Sequence, residues 1–88
     1  MANLVELIEL NARLEEVTDN IQTLGLVKRY LFTQIQRFND INSQSPLNEL
    51  TSIIESLCGI YRTTGLMDIE LQQTRDIILG KIIIAKNS

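Results

Sequence analysis

The chain has 88 residues, a net charge of −3, one cysteine, no histidine and four aromatic residues. Its length allows one domain at most, near the lower limit of what folds without a disulfide or a metal. A single cysteine excludes an intramolecular disulfide, and the lack of histidine leaves a zinc site short of ligands. We therefore expect a core of packed aliphatic side chains, with no metal and no cofactor.

Charge and hydropathy favour a cytoplasmic protein. The N-terminal stretch has no basic region typical of a signal peptide, and no apolar run approaches the roughly 20 residues that cross a bilayer. Residues 1–24 carry five acidic side chains against Arg13 alone, and residues 25–40 carry three cations against Asp40. Three clustered cations neutralise too few phosphates for a nucleic-acid polymer to be an expected partner. We expect no membrane partner either.

An apolar repeat with alternating steps of three and four residues predicts a long first helix over 3–41. Asn3 is placed to cap its first turn, with Glu6 three residues later. Gly25 allows the helix either to continue with a kink or to end. We favour the kinked helix, because the repeat keeps its phase and no residues remain for a reversing loop. Only Lys28 interrupts the repeat, whose members are Leu7, Leu10, Leu14, Val17, Ile21, Leu24, Leu31, Ile35 and Phe38.

Turn-forming residues over 39–45 predict a break after the first helix. Ser45 and Pro46 are typical of a helix start, with serine as the cap and proline in the first helical position. A second helix is therefore expected over 46–63. Its apolar stripe consists of Leu47, Leu50, Ile54, Leu57 and Tyr61, widened by Ile53, Cys58 and Ile60.

The stretch Thr63-Thr64-Gly65 predicts a break or kink in the second half of the chain. Asp68 has the character of an N-cap for a last helix over 68–86. Isoleucine-rich residues 76–85, with Gly80-Lys81 between them, also allow a short β-hairpin. The helix is favoured, because a hairpin with three-residue arms and no third strand is unstable.

Together these elements predict an all-α fold over residues 1–88: a kinked antiparallel helical hairpin of three or four helices. With the reversal at residues 44–45, residue i faces roughly residue 89 − i, so Gly25 lies opposite Thr64. The apolar surface exceeds what one seam between two arms covers, so copies are expected to assemble into an oligomeric helical bundle. The expected oligomer interface contains Leu4, Ile8, Val27, Phe32, Ile78 and Ile82.

The same mirror relation brings cations, tyrosine rings and hydroxyl groups of both arms to one level. Such a set can hold a phosphate while a ring stacks on a base. In the alternative interpretation the cations are a solvated face, the tyrosines lie at the edge of the core and the threonines cap helix ends. The residues concerned are Lys28, Arg29, Tyr30, Tyr61, Arg62, Thr63 and Thr64.

The remaining reactive side chains do not predict an enzyme. Cys58 is expected to be a buried, inert thiol, since no histidine is present to activate it. The acidic pairs of the first helix are interpreted as solvated carboxylates. The sequence contains no glycine-rich phosphate loop and no metal-ligand spacing.

Two functional hypotheses follow from the sequence. The first is a non-enzymatic interaction protein, a homo-oligomer that binds and regulates a protein partner. The second is an oligomer that sequesters a small anionic ligand, such as a cyclic nucleotide signal. In size and helical arrangement the chain resembles small phage proteins that sequester cyclic-nucleotide signals of bacterial defence. Class IIa bacteriocin immunity proteins are similar in the same way. The likeness is one of build, and no motif carries it.

Overall fold

The structure is a computed structural model that describes residues 3–87, and in this range it contains two α-helices and no strand. Helix α1 spans Leu4–Gln44 and helix α2 spans Asn48–Asn87. Residues 45–47 join them, and the two helices pack against each other along a hairpin. The prediction of an all-α helical hairpin is confirmed. The structure has two helices where three or four were predicted.

Helix α1 begins as predicted and ends later than predicted. The Asn3 side-chain oxygen accepts a hydrogen bond from the Glu6 backbone N–H at 3.1 Å, which satisfies a free donor of the first turn. The helix continues through Gly25, and it also continues through residues 39–44, where a break was predicted. That prediction was wrong, because polar side chains of this stretch bond either within the helix or across the reversal. The Ser43 hydroxyl, for example, donates to the carbonyl of residue 39 at 2.9 Å.

The reversal between the helices is held by the side chain of Asn42. Its Oδ1 accepts from the Leu47 backbone N–H at 3.0 Å, and its Nδ2 donates to Thr51 Oγ1 at 3.3 Å. One amide therefore joins the end of α1 to the start of α2. Pro46 lies between the helices, two residues before α2 begins. A proline there needs no hydrogen-bond partner for its nitrogen.

The apolar repeat of α1 forms the contact with α2. All nine apolar members of the repeat are buried or half-buried, while most of the residues between them are exposed. Lys28 and Asn42 occupy positions of the same repeat and are half-buried as well. A repeat that averages 3.5 residues keeps one side of a long helix against its neighbour. The prediction of a single seam on α1 is confirmed.

Helix α2 has an equally regular seam, which the sequence analysis did not follow beyond Tyr61. The predicted break at residues 63–65 and the separate helix over 68–86 were wrong, because α2 is continuous. Residues 76–85 are helical, as was favoured over the β-hairpin. Asp68 lies in the middle of the helix and caps nothing. Three seam positions hold polar side chains (Thr64, Asp68 and Arg75), so the apolar repeat is interrupted in the sequence. The seam residues of α2 are Leu50, Ile54, Leu57, Tyr61, Thr64, Asp68, Leu71, Arg75, Ile78, Ile82 and Ala85.

The most deeply buried part of the seam lies near the open end of the hairpin, where α1 begins and α2 ends. Leu10 of α1 packs there with Ile78, Ile82 and Ala85 of α2, and half-buried side chains of α1 extend this core. Ile78 and Ile82 were predicted at an oligomer interface. They lie instead between the two helices and have almost no surface to offer a second copy.

The register of the hairpin differs from the predicted one by about one helical turn. The residue numbers add to 93 for the Asn42–Thr51 hydrogen bond and for the Phe32–Tyr61 ring contact, and to 96 for the Lys28–Asp68 ion pair. The predicted sum was 89. The difference arises because α1 extends to Gln44, which moves the reversal to residues 45–47.

The hairpin is a rod rather than a globule. Its Cα atoms extend 67 × 14 × 13 Å. At 1.5 Å per residue, a helix of 41 residues is about 61 Å long, so each helix runs nearly the full length of the molecule. Every seam residue therefore has one helix beside it and solvent nearby, and no large side chain of the described residues is completely buried.

Removal of the Ile78 side chain tests the core. Ile78→Ala is expected to lower the free energy of unfolding by about 2–5 kcal/mol, because the side chain is deleted from a packed site. Ile77→Ala is the matched control, since Ile77 is the next residue and is 60% exposed. Urea unfolding at one fixed protein concentration measures both. Equal losses for the two variants would contradict the described seam.

Asn42→Ala tests the turn. Loss of its two hydrogen bonds is expected to reduce stability by about 1 kcal/mol. Asn39→Ala removes the same side chain from an exposed position one turn earlier and should change the unfolding midpoint little. If both substitutions have the same effect, helix propensity and not the turn contact is responsible.

Candidate functional site

The middle of the seam contains one polar layer, formed by Lys28 and Asp68. Lys28 Nζ lies 3.5 Å from Asp68 Oδ2, and the two side chains are 31% and 14% exposed. Gln72 Nε2 donates to the same oxygen at 3.2 Å. Each side chain points toward the N-terminus of its own helix. In an antiparallel pair, two side chains whose Cα atoms are offset by about one turn along the rod can therefore meet. The layer therefore fits the observed register.

The other oxygen of this carboxylate has no partner. Asp68 Oδ1 is buried and accepts no hydrogen bond among the described residues. A half-satisfied carboxylate in an apolar seam costs stability, because burial removes its hydration. The layer is better explained by specificity than by stability: only one register of the two helices places a cation beside this carboxylate.

The predicted anion-binding residues do not form one donor cluster. Lys28 is paired with Asp68, which neutralises its charge. Thr63 Oγ1 donates to the Gly59 carbonyl at 3.1 Å and Thr64 Oγ1 donates to the Ile60 carbonyl at 2.8 Å. An anion needs donors, and these hydroxyl protons are already used within the helix.

The aromatic and guanidinium groups of the predicted site differ in exposure. Tyr61 is half-buried in the seam, with its ring centroid 6.3 Å from that of Phe32. Tyr30 is 65% exposed. Arg29 and Arg62 are also exposed. The predicted site thus retains two exposed guanidinium groups and one exposed ring.

The single thiol is exposed, which corrects the predicted burial of Cys58. The seam passes through the neighbouring position 57, and position 58 lies beside it on the flank. Among residues 3–87, no three histidine, cysteine, aspartate or glutamate side chains are grouped so that they could hold a metal ion.

Exposed apolar side chains are the most extensive feature of the surface. Leu4, Ile8, Val27 and Phe32, which were predicted at an oligomer interface, are all exposed. Other large apolar residues share this exposure along both helices. They are Val5, Leu26, Tyr30, Ile41, Leu47, Ile53, Ile60, Leu66, Met67, Ile69, Ile77, Leu79, Ile83 and Ile84.

Part of this apolar surface forms one continuous face beside the seam, which we call the apolar face. Its members lie seven residues apart within each helix, so they share one side of the rod. The sequence analysis missed this face because it assigned Ile53 and Ile60 to the core stripe. The sequence feature that could have revealed this face is a second seven-residue repeat beside the seam repeat. The apolar face consists of Val27, Gln34, Ile41, Ile53, Ile60 and Met67.

A shallow groove continues the apolar face toward the open end. Its volume is about 400 Å³, and both helices contribute to its walls. Positions seven residues from members of the apolar face, namely 20 and 74, line it together with Met67. This shared lining shows that the two repeats lie on the same side of the hairpin. The complete lining is Asn20, Thr23, Leu24, Met67, Glu70, Leu71 and Thr74.

Comparison of the chain with protein-family models, with curated proteins and with solved structures gives no match. Neither described helix contains a segment long and apolar enough to cross a membrane.

A double-mutant cycle tests the polar layer. Lys28→Met alone is expected to cost about 1–3 kcal/mol of stability, because it leaves the Asp68 carboxylate buried without a cation. Lys28→Met combined with Asp68→Leu is expected to cost less than that single substitution, since an apolar pair needs no hydration. Urea unfolding of the four proteins measures the coupling. Additive losses would show that the two side chains do not interact.

Proposed function

We propose that the protein is a non-enzymatic interaction protein that works as a homo-oligomer and acts on a protein partner. The observation that carries the proposal is the large apolar surface of a hairpin with a narrow seam. An isolated two-helix rod buries little, and soluble monomers rarely leave apolar patches of this extent exposed.

The size of the accessible surface area also supports self-association. The chain exposes 6595 Å². A compact monomer of 10.0 kDa exposes about 5,200 Å². The excess of about 1,400 Å² is larger than the roughly 800 Å² that each partner buries in a stable interface of standard size. Association with further copies is therefore a sufficient way to cover it.

Action on a protein partner is supported by the distribution of the same surface. The apolar face lies in the half of the rod near the reversal, between residues 27 and 67. A separate group of exposed apolar residues lies at the open end, and it includes Leu4, Ile8, Ile83 and Ile84. Two separate apolar areas allow one to bind a second copy and the other to bind a different protein.

Sedimentation velocity tests the proposal directly. The protein is expected to sediment as a species of at least twice its chain mass, with the distribution shifting toward monomer on dilution. A single 10.0 kDa species at all concentrations would overturn the proposal.

Thermal shift distinguishes the second functional hypothesis. The proposed interaction protein should show no increase in melting temperature with cyclic di- or trinucleotides, because Lys28 is paired and the threonine protons are used. An increase that Arg62→Ala abolishes would instead support an anion-sequestering oligomer.

A further inference from the structure

We propose that two copies pair through the apolar face in antiparallel orientation, with Ile60 at the two-fold axis. This inference rests on the proposed function and specifies the surface and the geometry of self-association. The occupant of the apolar face is thus a second copy of the same chain.

The first argument is the chemistry along the two repeats that define the face. From position 20 to 41 in α1 and from 53 to 74 in α2, every residue of these repeats is uncharged. The next positions toward the open end are Arg13 and Lys81. Charged residues are depleted from the centres of protein interfaces, so the charges mark where the interface ends.

The opposite side of the seam exposes less apolar surface for a second copy to bury. At the corresponding levels it carries Gly25, Gly65, Cys58 and Thr51. A Cβ atom built on either glycine would meet nothing within 4 Å, so this side is open as well as poor in apolar atoms. The same repeats also carry the polar residues Asn39 and Gln72, and Phe32, whose ring contacts Tyr61.

The third argument is the symmetry of the face. Ile53, Ile60 and Met67 are evenly spaced in α2, and Val27, Gln34 and Ile41 are evenly spaced in α1. A two-fold axis across the rod at Ile60 stacks α2 on the α2 of the second copy, with Ile53 against Met67. It also stacks α1 on α1, where the two Gln34 amides meet and can hydrogen-bond to each other. An isologous contact requires this kind of self-complementarity.

The charges select the antiparallel orientation over the parallel one. Ile60 lies about 21 Å along α2 from Pro46, so the antiparallel overlap is about 42 Å long. Arg13 and Lys81 lie about 50 Å from the reversal and fall outside this overlap. A parallel two-fold would stack α1 on α2 of the second copy and place Arg13 against Lys81, and such like-charge contacts are unfavourable.

The groove supplies a fourth argument. Its lining residues lie about 36 Å from the reversal, so the antiparallel pairing brings the turn of the second copy to the same level. Leu47 of the turn and Ile41 near the end of α1 are both about half exposed there. An apolar tip thereby meets a partly apolar groove of about 400 Å³.

The rim of the contact has one favourable and one unfavourable feature. Tyr30 of one copy comes level with Arg37 of the other, where a guanidinium can stack on the ring. Glu49 of one copy comes level with Glu70 of the other, and both side chains are exposed. Salt screens such exposed like charges, so association is expected to strengthen moderately as salt is added.

Substitution at the axis tests the surface. Ile60→Glu is expected to weaken dimerisation at least about 100-fold, because it places two carboxylates at the centre of an apolar contact. Ile69→Glu is the matched control, since Ile69 lies on the same helix with 53% exposure against 52% for Ile60 and faces away from the apolar face. Sedimentation velocity measures both.

Disulfide cross-linking tests the relative orientation of the two copies. It does not use Ile60→Glu, so its result does not depend on whether that variant folds. In a Cys58→Ser background, Ile53→Cys mixed with Met67→Cys should form a heterodimeric disulfide, and Ile53→Cys alone should not. X-ray scattering should give a particle about 90 Å long, against about 70 Å for a parallel pair. A ready disulfide between the mixed Ile53→Cys and Ile41→Cys proteins, with the shorter particle, would overturn the antiparallel pairing.

The outcomes separate this inference from the proposed function. If the unmodified protein is a monomer, both fail. If it is oligomeric but is dissociated by Ile69→Glu and not by Ile60→Glu, self-association stands and the apolar face is the wrong surface.

Discussion

The structure depends on a single seam between two long helices. Each helix contributes a repeat with alternating three- and four-residue steps, and together the repeats keep the helices in contact over a rod 67 Å long. A seam of two helices has solvent on both sides, which explains why only a few side chains of the described residues are buried. The exposed apolar residues are a direct consequence of this narrow contact.

The polar residues in the seam determine which register the helices adopt. A purely aliphatic repeat allows two helices to slide by one heptad with similar packing. The Lys28–Asp68 pair opposes such a shift, because sliding would leave both charges in apolar surroundings. Asn42 has the same effect at the reversal, where its amide bonds to Leu47 of the connection and to Thr51 of α2. These polar residues reduce the stability of the seam locally, and they favour one alignment of the two helices.

The surface beside the seam leads to the functional proposals. A second uncharged repeat on each helix is explained if it also packs against helices. The two-fold pairing would form a bundle of four helices over part of the rod's length. The open ends would then project beyond the bundle with their own apolar residues. Such an arrangement offers a protein partner a surface distinct from the one that holds the copies together.

The sequence alone determined the helical class, the cap at Asn3, the seam of α1 and the excess of apolar surface, because local periodicity and capping depend on residues close together in the chain. It did not reveal that α2 is continuous. Asp68 resembles the cap of a new helix when only its own helix is considered, and its place in the seam becomes evident only when α1 supplies Lys28 as a partner. The register, the exposure of Cys58, the burial of Ile78 and Ile82, and the apolar face were decided by the tertiary structure. Each of these depends on which residues of one helix lie beside which residues of the other, and that pairing is set by where the chain reverses.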